Sequence, residues 1–287
     1  MATELKPGQK RFTAGAVFAD IAIVAWFIFA LFPILWRLLL ALKNDAQQTS
    51  TYFAFSPTLE NFGTVLSQRG TDLTSVDFKT AILMSIVNCG GAVLVSLIIG
   101  IPAAYAAGRW KFKGSEDLMF NMLSFRFAPE LMVIVPLFVI YNQFGLFDTV
   151  FGMIWVLQLV TMPLIVWILR SYFEDMPEDL EQAALLDGYT RRQAFTMVAL
   201  PLVRPGIAAA ALLSFIFAWN NYVFPLILTD TAASTVTVAI TKFLGGGQAY
   251  YNLTAAAALI GALPPLILAL TIQRYLVQGL SFGAVKG

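Results

Sequence analysis

Arg126 and Glu130 stand four residues apart inside residues 118–140, a run with no other charge. Four residues is about one helical turn, so the two side chains can meet on one helix face. A charge at the centre of a membrane helix costs about 2.5–3.5 kcal/mol on insertion scales. Two readings of the pair stay open. It is an internal ion pair bracing the chain at Pro129, where a helix is expected to kink, or one or both groups face a translocation cavity. A second polar cluster is Trp219, Asn220, Asn221 and Tyr222. Its amides and hydroxyl can hydrogen-bond a polyol, and the indole offers a face on which a sugar can stack. The same asparagines can instead join neighbouring helices. The third cluster is larger: residues 171–205 gather six acids and three arginines between long apolar runs. Other chemistry is scarce. The chain has no histidine and one cysteine, Cys89, so no disulfide can close within it and no His- or Cys-rich metal site can form. Ser124 with Glu130 is a poor remnant of a nucleophile–base pair. Asn88 and Cys89 beside Gly90 and Gly91 read as close helix packing.

The elements that must position these groups are membrane helices. Of 287 residues, 59% are hydrophobic and 12% charged, where a soluble domain carries roughly a quarter charged. Lipid is therefore the expected solvent, and a net charge of +1 argues against a nucleic-acid surface. A spanning helix needs about 20 mostly apolar residues. Six stretches qualify: 16–36, 81–107, 118–140, 150–169, 206–228 and 253–272. Each is long and apolar on all sides, which fits helices rather than barrel strands. No small-residue cleavage pattern precedes the first run, so it is expected to be retained. Six spans place both termini on one side. That side holds 12 of the 18 Lys and Arg, the opposite side five, and Arg126 lies within a span. The positive-inside rule then makes both termini and the polar island cytoplasmic. Asp20 is expected to reach the cytoplasmic surface. The longest outer loop is 38–80. The expected organisation is an N-terminal tail, 1–15, a six-helix domain, 16–277, with its cytoplasmic loop at 171–205, and a C-terminal tail, 278–287.

The polar island reads as two short helices. Pro177 suits a first helical position, and Glu178, Asp179 and Glu181 crowd the positive end of the dipole. Met176, Leu180, Ala183 and Ala184 share one apolar face. Gly188 is placed to end the helix in a left-handed conformation. Thr190 with Gln193 forms a capping-box pattern for the next helix, which presents Phe195, Val198 and Ala199 and is expected to end at Pro201. The bland alternative is an amphipathic loop on the membrane surface.

The spacing Gln182-Ala183-Ala184, three residues, Gly188, nine residues, Val198-Ala199-Leu200-Pro201 resembles the EAA loop of binding-protein-dependent ABC importer permeases. Gln182 stands where that pattern has Glu, and Val198 where it has Ile. Ser124 to Glu130, followed by Gly145-Leu146-Phe147-Asp148-Thr149, looks like the third span and outer turn of the carbohydrate-uptake branch. Trp219-Asn220-Asn221, with Pro225-Leu226, is similar to its fifth span, where Trp-Asn-Glu is usual. The last nine residues, from Gly279, resemble the C-terminus of maltose-type G permeases. The resemblance implies an all-α integral membrane protein with the fold of a type I ABC importer transmembrane domain, in the inner (plasma) membrane. It implies three partners: a second permease, a cytoplasmic ABC ATPase dimer and an extracytoplasmic solute-binding protein. Glu178, Glu181, Gln182, Ala183, Ala184, Asp187 and Gly188 would meet the ATPase, and the tail from Ser281 would reach it too. Arg126, Glu130, Trp219, Asn220, Asn221 and Tyr222 would line the substrate path. The sequence has no G-x-x-x-x-G-K-[ST] loop, so ATP and Mg are expected on the partner, with no cofactor in this chain. Gly245-Gly246-Gly247 reads as an outer turn. A secondary transporter or channel is the rival, but it would be expected to show charges in several helices or internal symmetry. A membrane enzyme would need a catalytic constellation, and few candidates remain without histidine.

Overall fold

A computed structural model describes residues 14–49, 52–67, 77–110, 112–126, 130–244 and 250–283. The described residues form helices and no strands. Three helices are long and apolar enough to cross a membrane unbroken: α1 (Ala14–Ala41), α3 (Phe78–Arg109) and α14 (Tyr251–Gly283). Between α1 and α3 lies α2 (Glu60–Ser67). Three bent pairs bring the total to as many as six spans, by length and composition. The first pair is α4 (Ser115–Phe125) and α5 (Glu130–Gln143), bent by 88°. The second is α6 (Val150–Val156) and α7 (Gln158–Asp175), bent by 44°.

The island follows α7. Helix α8 (Asp179–Leu186) leads to α9 (Arg191–Gln193), a π-helical segment (Ala194–Ala199) and α10 (Leu200–Leu202). Helix α11 (Arg204–Asn220) leaves the end of this run at 69°, which makes the third bent pair. After it come α12 (Val223–Leu228) and α13 (Val236–Lys242). Helix α14 continues past position 277, where a separate tail was expected, with helical backbone to Gly283. Gly245 to Gly247 and the last four residues lie outside the described residues, as does Pro129.

The long apolar runs hide breaks that physical details explain. The 118–140 span is two helices at a steep angle, so Arg126 and Glu130 do not share a helix face. At the 44° bend, the Gln158 amide donates to Ile154 O at 2.9 Å and to Ala92 O at 3.1 Å. A side chain inserted into the carbonyl ladder is a known cause of bending. The 206–228 span breaks after Asn220. Asn221 is extended (φ −65°, ψ 131°), and Pro225 supplies no N–H to bond back to it. Thr237 Oγ1 donates to the freed Asn221 carbonyl at 3.1 Å. Phe224 N donates to Asn221 Oδ1 at 3.3 Å, starting α12.

Packing separates into two apolar cores. One gathers Phe78, Met153, Trp219, Phe224, Leu228 and Phe243 away from the island. The other gathers Ala104, Ile165, Leu169, Phe173, Val203 and Ala210 near it. Helix α3 runs along α7, and both touch α11. The approach is close at Gly206, where a Cβ would stand 2.5 Å from the Tyr172 ring. Small residues of this kind let membrane helices pack backbone to backbone. Helix α1 contributes little to either core. Its main neighbour is α14, and Phe18, Trp26 and Phe29 are all more than half exposed, a face for lipid or another subunit.

Candidate functional site

Where the broken spans meet, they enclose a cavity of about 730 Å³. Its polar lining is Arg126, Glu130, Gln158, Asn220, Asn221 and Tyr222. Phe125, Pro163, Phe217 and Phe224 supply apolar walls. Breaks in α4/α5, α6/α7 and α11/α12 thus all deliver polar side chains to one space. Irregular backbone at membrane depth is tolerated where it lines such a cavity.

Of the two readings of Arg126 and Glu130, the internal ion pair is not formed, because the two helices diverge, and both residues line the cavity. The Arg126 guanidinium instead lies 4.0 Å from the Phe217 ring centroid. Cation–π contact satisfies one face of the group while its N–H donors remain usable. Glu130 Oε1 accepts from Asn221 Nδ2 at 2.8 Å. This bond joins the start of α5 to the break between α11 and α12. Asn220, which lines the cavity, donates to Ile216 O on its own helix at 2.8 Å, and its side-chain oxygen accepts no hydrogen bond among the described residues. Tyr222 OH lies 3.5 Å from Thr241 Oγ1.

Trp219 does not join them. Its ring is 4% exposed and its Nε1 donates to Gly261 O on α14 at 3.1 Å. The expected sugar-stacking face is therefore corrected to an interhelical tie, and Phe217 and Tyr222 supply the aromatic surface. Gln158 escaped the sequence reading. It is further held through Ser96 Oγ, 2.5 Å from Gln158 Oε1 and 2.6 Å from Thr161 Oγ1. A lone amide in an otherwise apolar span was the available signal.

The island is a second, separate site. Gly188 has φ +89°. Its N–H reaches Leu185 O at 3.1 Å, and Tyr189 N reaches Ala184 O at 3.0 Å. These are the two bonds of a Schellman motif. Thr190 and Gln193 make the expected capping box. Helix α8 begins at Asp179, with Pro177 just outside it. Pro201 does not end the second island helix, which runs on through Leu202. The preceding turns widen instead, with Leu200 N bonded to Phe195 O. Thr196 Oγ1 also donates back to Arg192 O at 2.9 Å.

The expected ATPase-facing residues divide. Glu178, Gln182, Ala183, Asp187 and Gly188 are exposed, and Ala184 is buried. Glu181 turns inward. Its Oε2 lies 3.6 Å from Arg109 Nε and accepts from Tyr105 OH at 3.3 Å. Arg109 Nη1 also donates to Met176 O at 2.8 Å. The end of α3 thereby clamps both ends of the α7–α8 corner. Of the expected apolar face only Met176 and Ala184 are buried, while Leu180 is 44% exposed. Leu186, which the sequence reading passed over, is 89% exposed at the tip of α8.

On the face away from the island, Asp148 ties two loops. Oδ1 accepts from Asp230 N and Ala233 N, both at 3.0 Å. Oδ2 accepts from Thr231 N at 3.1 Å and Ala232 N at 3.0 Å. Partial burial alone would raise the carboxyl's pKa, but the four backbone donors outweigh it and hold it below the ordinary value.

Residues 96–282 match the family described as "Binding-protein-dependent transport system inner membrane component". The trehalose transport system permease protein SugB of Mycobacterium tuberculosis is 37% identical, over 98% of this chain and 100% of that protein. The trehalose/maltose transport system permease protein MalG of Thermococcus litoralis is 34% identical, over 91% of this chain and 93% of that one. A solved bacterial ABC transporter involved in import of the acidic polysaccharide alginate shares the fold. The TM-score is 0.73 at 22% identity, over 94% of this chain and 99% of that one.

Proposed function

The chain belongs to the family of binding-protein-dependent transport system inner membrane components, as a permease subunit of a sugar ABC importer, and we propose how its two sites divide the work. The central cavity is this subunit's part of the path for a sugar, glycoside or polyol, shared with a second permease. The named substrates of its relatives, trehalose and maltose, favour a small oligosaccharide. Arg126, Asn220 and Tyr222 supply its hydrogen bonds to substrate, Glu130 and Asn221 hold the surrounding breaks together as Gln158 does at its own bend, and Trp219 is withdrawn. A solute-binding protein delivers substrate on the face opposite the island. The island and both termini lie in the cytoplasm, as the distribution of basic residues supports.

ATP and Mg are bound by a separate ATPase dimer, in whose groove the island sits. Leu186 carries this reading. It is almost fully exposed at the end of a helix stopped by a Schellman turn, and Leu180, Leu185 and Tyr189 of the same short segment are also exposed; a run of exposed apolar side chains among polar ones marks an interaction surface. Glu178, Gln182, Ala183, Asp187 and Gly188 surround it. Glu181 serves the joint from inside. Through Arg109 it fastens the island to α3, so motion at the ATPase reaches the cavity by two routes, α3 and the bent α10–α11 connection. Two states of one element, biased at two sites, are sufficient for coupling.

The test is co-purification and uptake in proteoliposomes. An ATPase and a second permease should accompany the chain, and uptake should require ATP and the binding protein. Replacing Leu186 by Asp should release the ATPase and abolish uptake while the two permeases stay together. ATP-independent transport by this chain alone would overturn the reading.

A further inference from the structure

A pocket of about 330 Å³ lies between the end of α3 and the island. Tyr105 and Trp110 form one wall, and Leu185, Arg191, Arg192 and Phe195 the other, with Glu181 also lining it. Neither arginine has a task in the transport reading.

Three observations bear on what fills it. The first is depth. From Ala81 to Pro102, α3 rises about 31 Å at 1.5 Å per residue, which is the hydrocarbon thickness of a bilayer. Tyr105 and Trp110 follow, and so stand at the level of the lipid head groups. Trp110 and nearby Phe112 are both about half exposed, as aromatic side chains are in the interfacial belt. The second is charge. Arg191 and Arg192 are exposed, and neither pairs with an acid among the described residues. The third is a set of unmet polar groups. Glu181 Oε2 faces Arg109 and accepts from Tyr105, while Glu181 Oε1 and the neighbouring Arg109 Nε and Nη2 are all buried without hydrogen-bond partners among the described residues. Buried polar groups in that condition call for a partner such as a hydroxyl, which can both donate and accept.

We propose that this pocket binds the head group of an anionic phospholipid bearing hydroxyl donors, of the phosphatidylglycerol type. The phosphodiester meets Arg191 and Arg192, and a glycerol hydroxyl donates to Glu181 Oε1. Basic pockets at the membrane surface of helical bundles suit such head groups. The aromatic walls cover the glycerol and the first acyl carbons. The bound lipid bridges α3 and the island, and so stiffens the joint that Arg109 and Glu181 begin.

The test uses the assembled importer in nanodiscs of phosphatidylcholine with a minor fraction of phosphatidylglycerol. Lipid retained by the complex is counted by native mass spectrometry, a readout that needs no transport and so fails independently of the functional reading. Wild type should retain phosphatidylglycerol saturably. The double variant R191Q/R192Q should lose about 10- to 30-fold in affinity, from roughly 1 kcal/mol per basic residue near the surface. A second variant, Leu185→Trp, fills the pocket with both arginines intact and should lose the lipid equally. Equal retention in all three would overturn the site. So would phosphatidylethanolamine or phosphatidylcholine retained as tightly as phosphatidylglycerol in wild type.

Discussion

Replacing Asp148 by Asn probes the tie between the two loops on the face away from the island. The side chain keeps its shape and loses its charge. Asn presents one oxygen and one amino group, so whichever way it is turned, two of the four backbone N–H donors from Asp230 to Ala233 face another donor. A lost hydrogen bond to a charged group costs about 1.5–3 kcal/mol when buried. These loops are only partly buried and water can replace a partner, so about 1 kcal/mol for each of the two bonds is the better figure. About 2 kcal/mol corresponds to a roughly 30-fold rise in the open population of the loop. Hydrogen exchange at the amides of Thr231, Ala232 and Ala233 in the assembled importer reads this directly. The pH dependence carries a defined sign. The folded-state carboxyl is held below its ordinary value of 3.8, so the tie is intact above that value and is lost as pH falls below it, through the folded pKa. Wild type should approach the variant's exchange only in that acid window, and the variant should show no such step. Unchanged exchange at these amides in the variant, or the same acid step in both proteins, would refute the reasoning.

Four further outcomes follow from the geometry. Gly188→Val should sharply reduce uptake, because a β-branched residue at φ +89° costs on the order of 1–3 kcal/mol, whereas Gly188→Asn should keep most activity; equal uptake in the two would count against the turn's role. Asn221→Ala should leave Glu130 without its amide partner, and uptake in proteoliposomes should drop while ATPase assembly, followed by size exclusion, is retained. Trp219→Phe removes the bond to Gly261 and should lower thermal stability in detergent by about 1 kcal/mol, with the apparent affinity for sugar unchanged. Glu181→Ala should weaken the attachment of the island to α3, seen as faster exchange along α8, while Glu181→Gln, which still accepts from Tyr105, should fall between the two.

The sequence disclosed what depends on neighbours in the chain. Apolar length located the six spans, and local hydrogen-bonding patterns located the Gly188 turn and the Thr190–Gln193 box. It was silent where partners are distant or where an apolar run conceals a change of direction. Overall hydropathy carries no direction, and the local marks of the breaks, Gln158 beside Leu157 and Pro225 four residues after Asn221, do not by themselves give the angle. For Glu130 the sequence offers the nearest charge, Arg126, as its partner in one of two readings. Its actual partner, Asn221, is 91 residues away, and Arg126 took an aromatic face instead. The sequence offers Trp219 as a sugar-stacking face, and the resemblance places Glu181 at the ATPase, yet each meets a distant contact, Gly261 O for one and Arg109 for the other. Polar groups in a membrane protein attract a functional and a structural reading alike, because lipid makes them costly and the same cost draws them to one another. The better indicator of the path is a polar group at a backbone break that keeps unspent hydrogen-bonding capacity toward the cavity. By that measure Arg126, Asn220 and Tyr222 carry substrate contact, while Glu130 and Asn221 hold the α5 and α11–α12 breaks together around it.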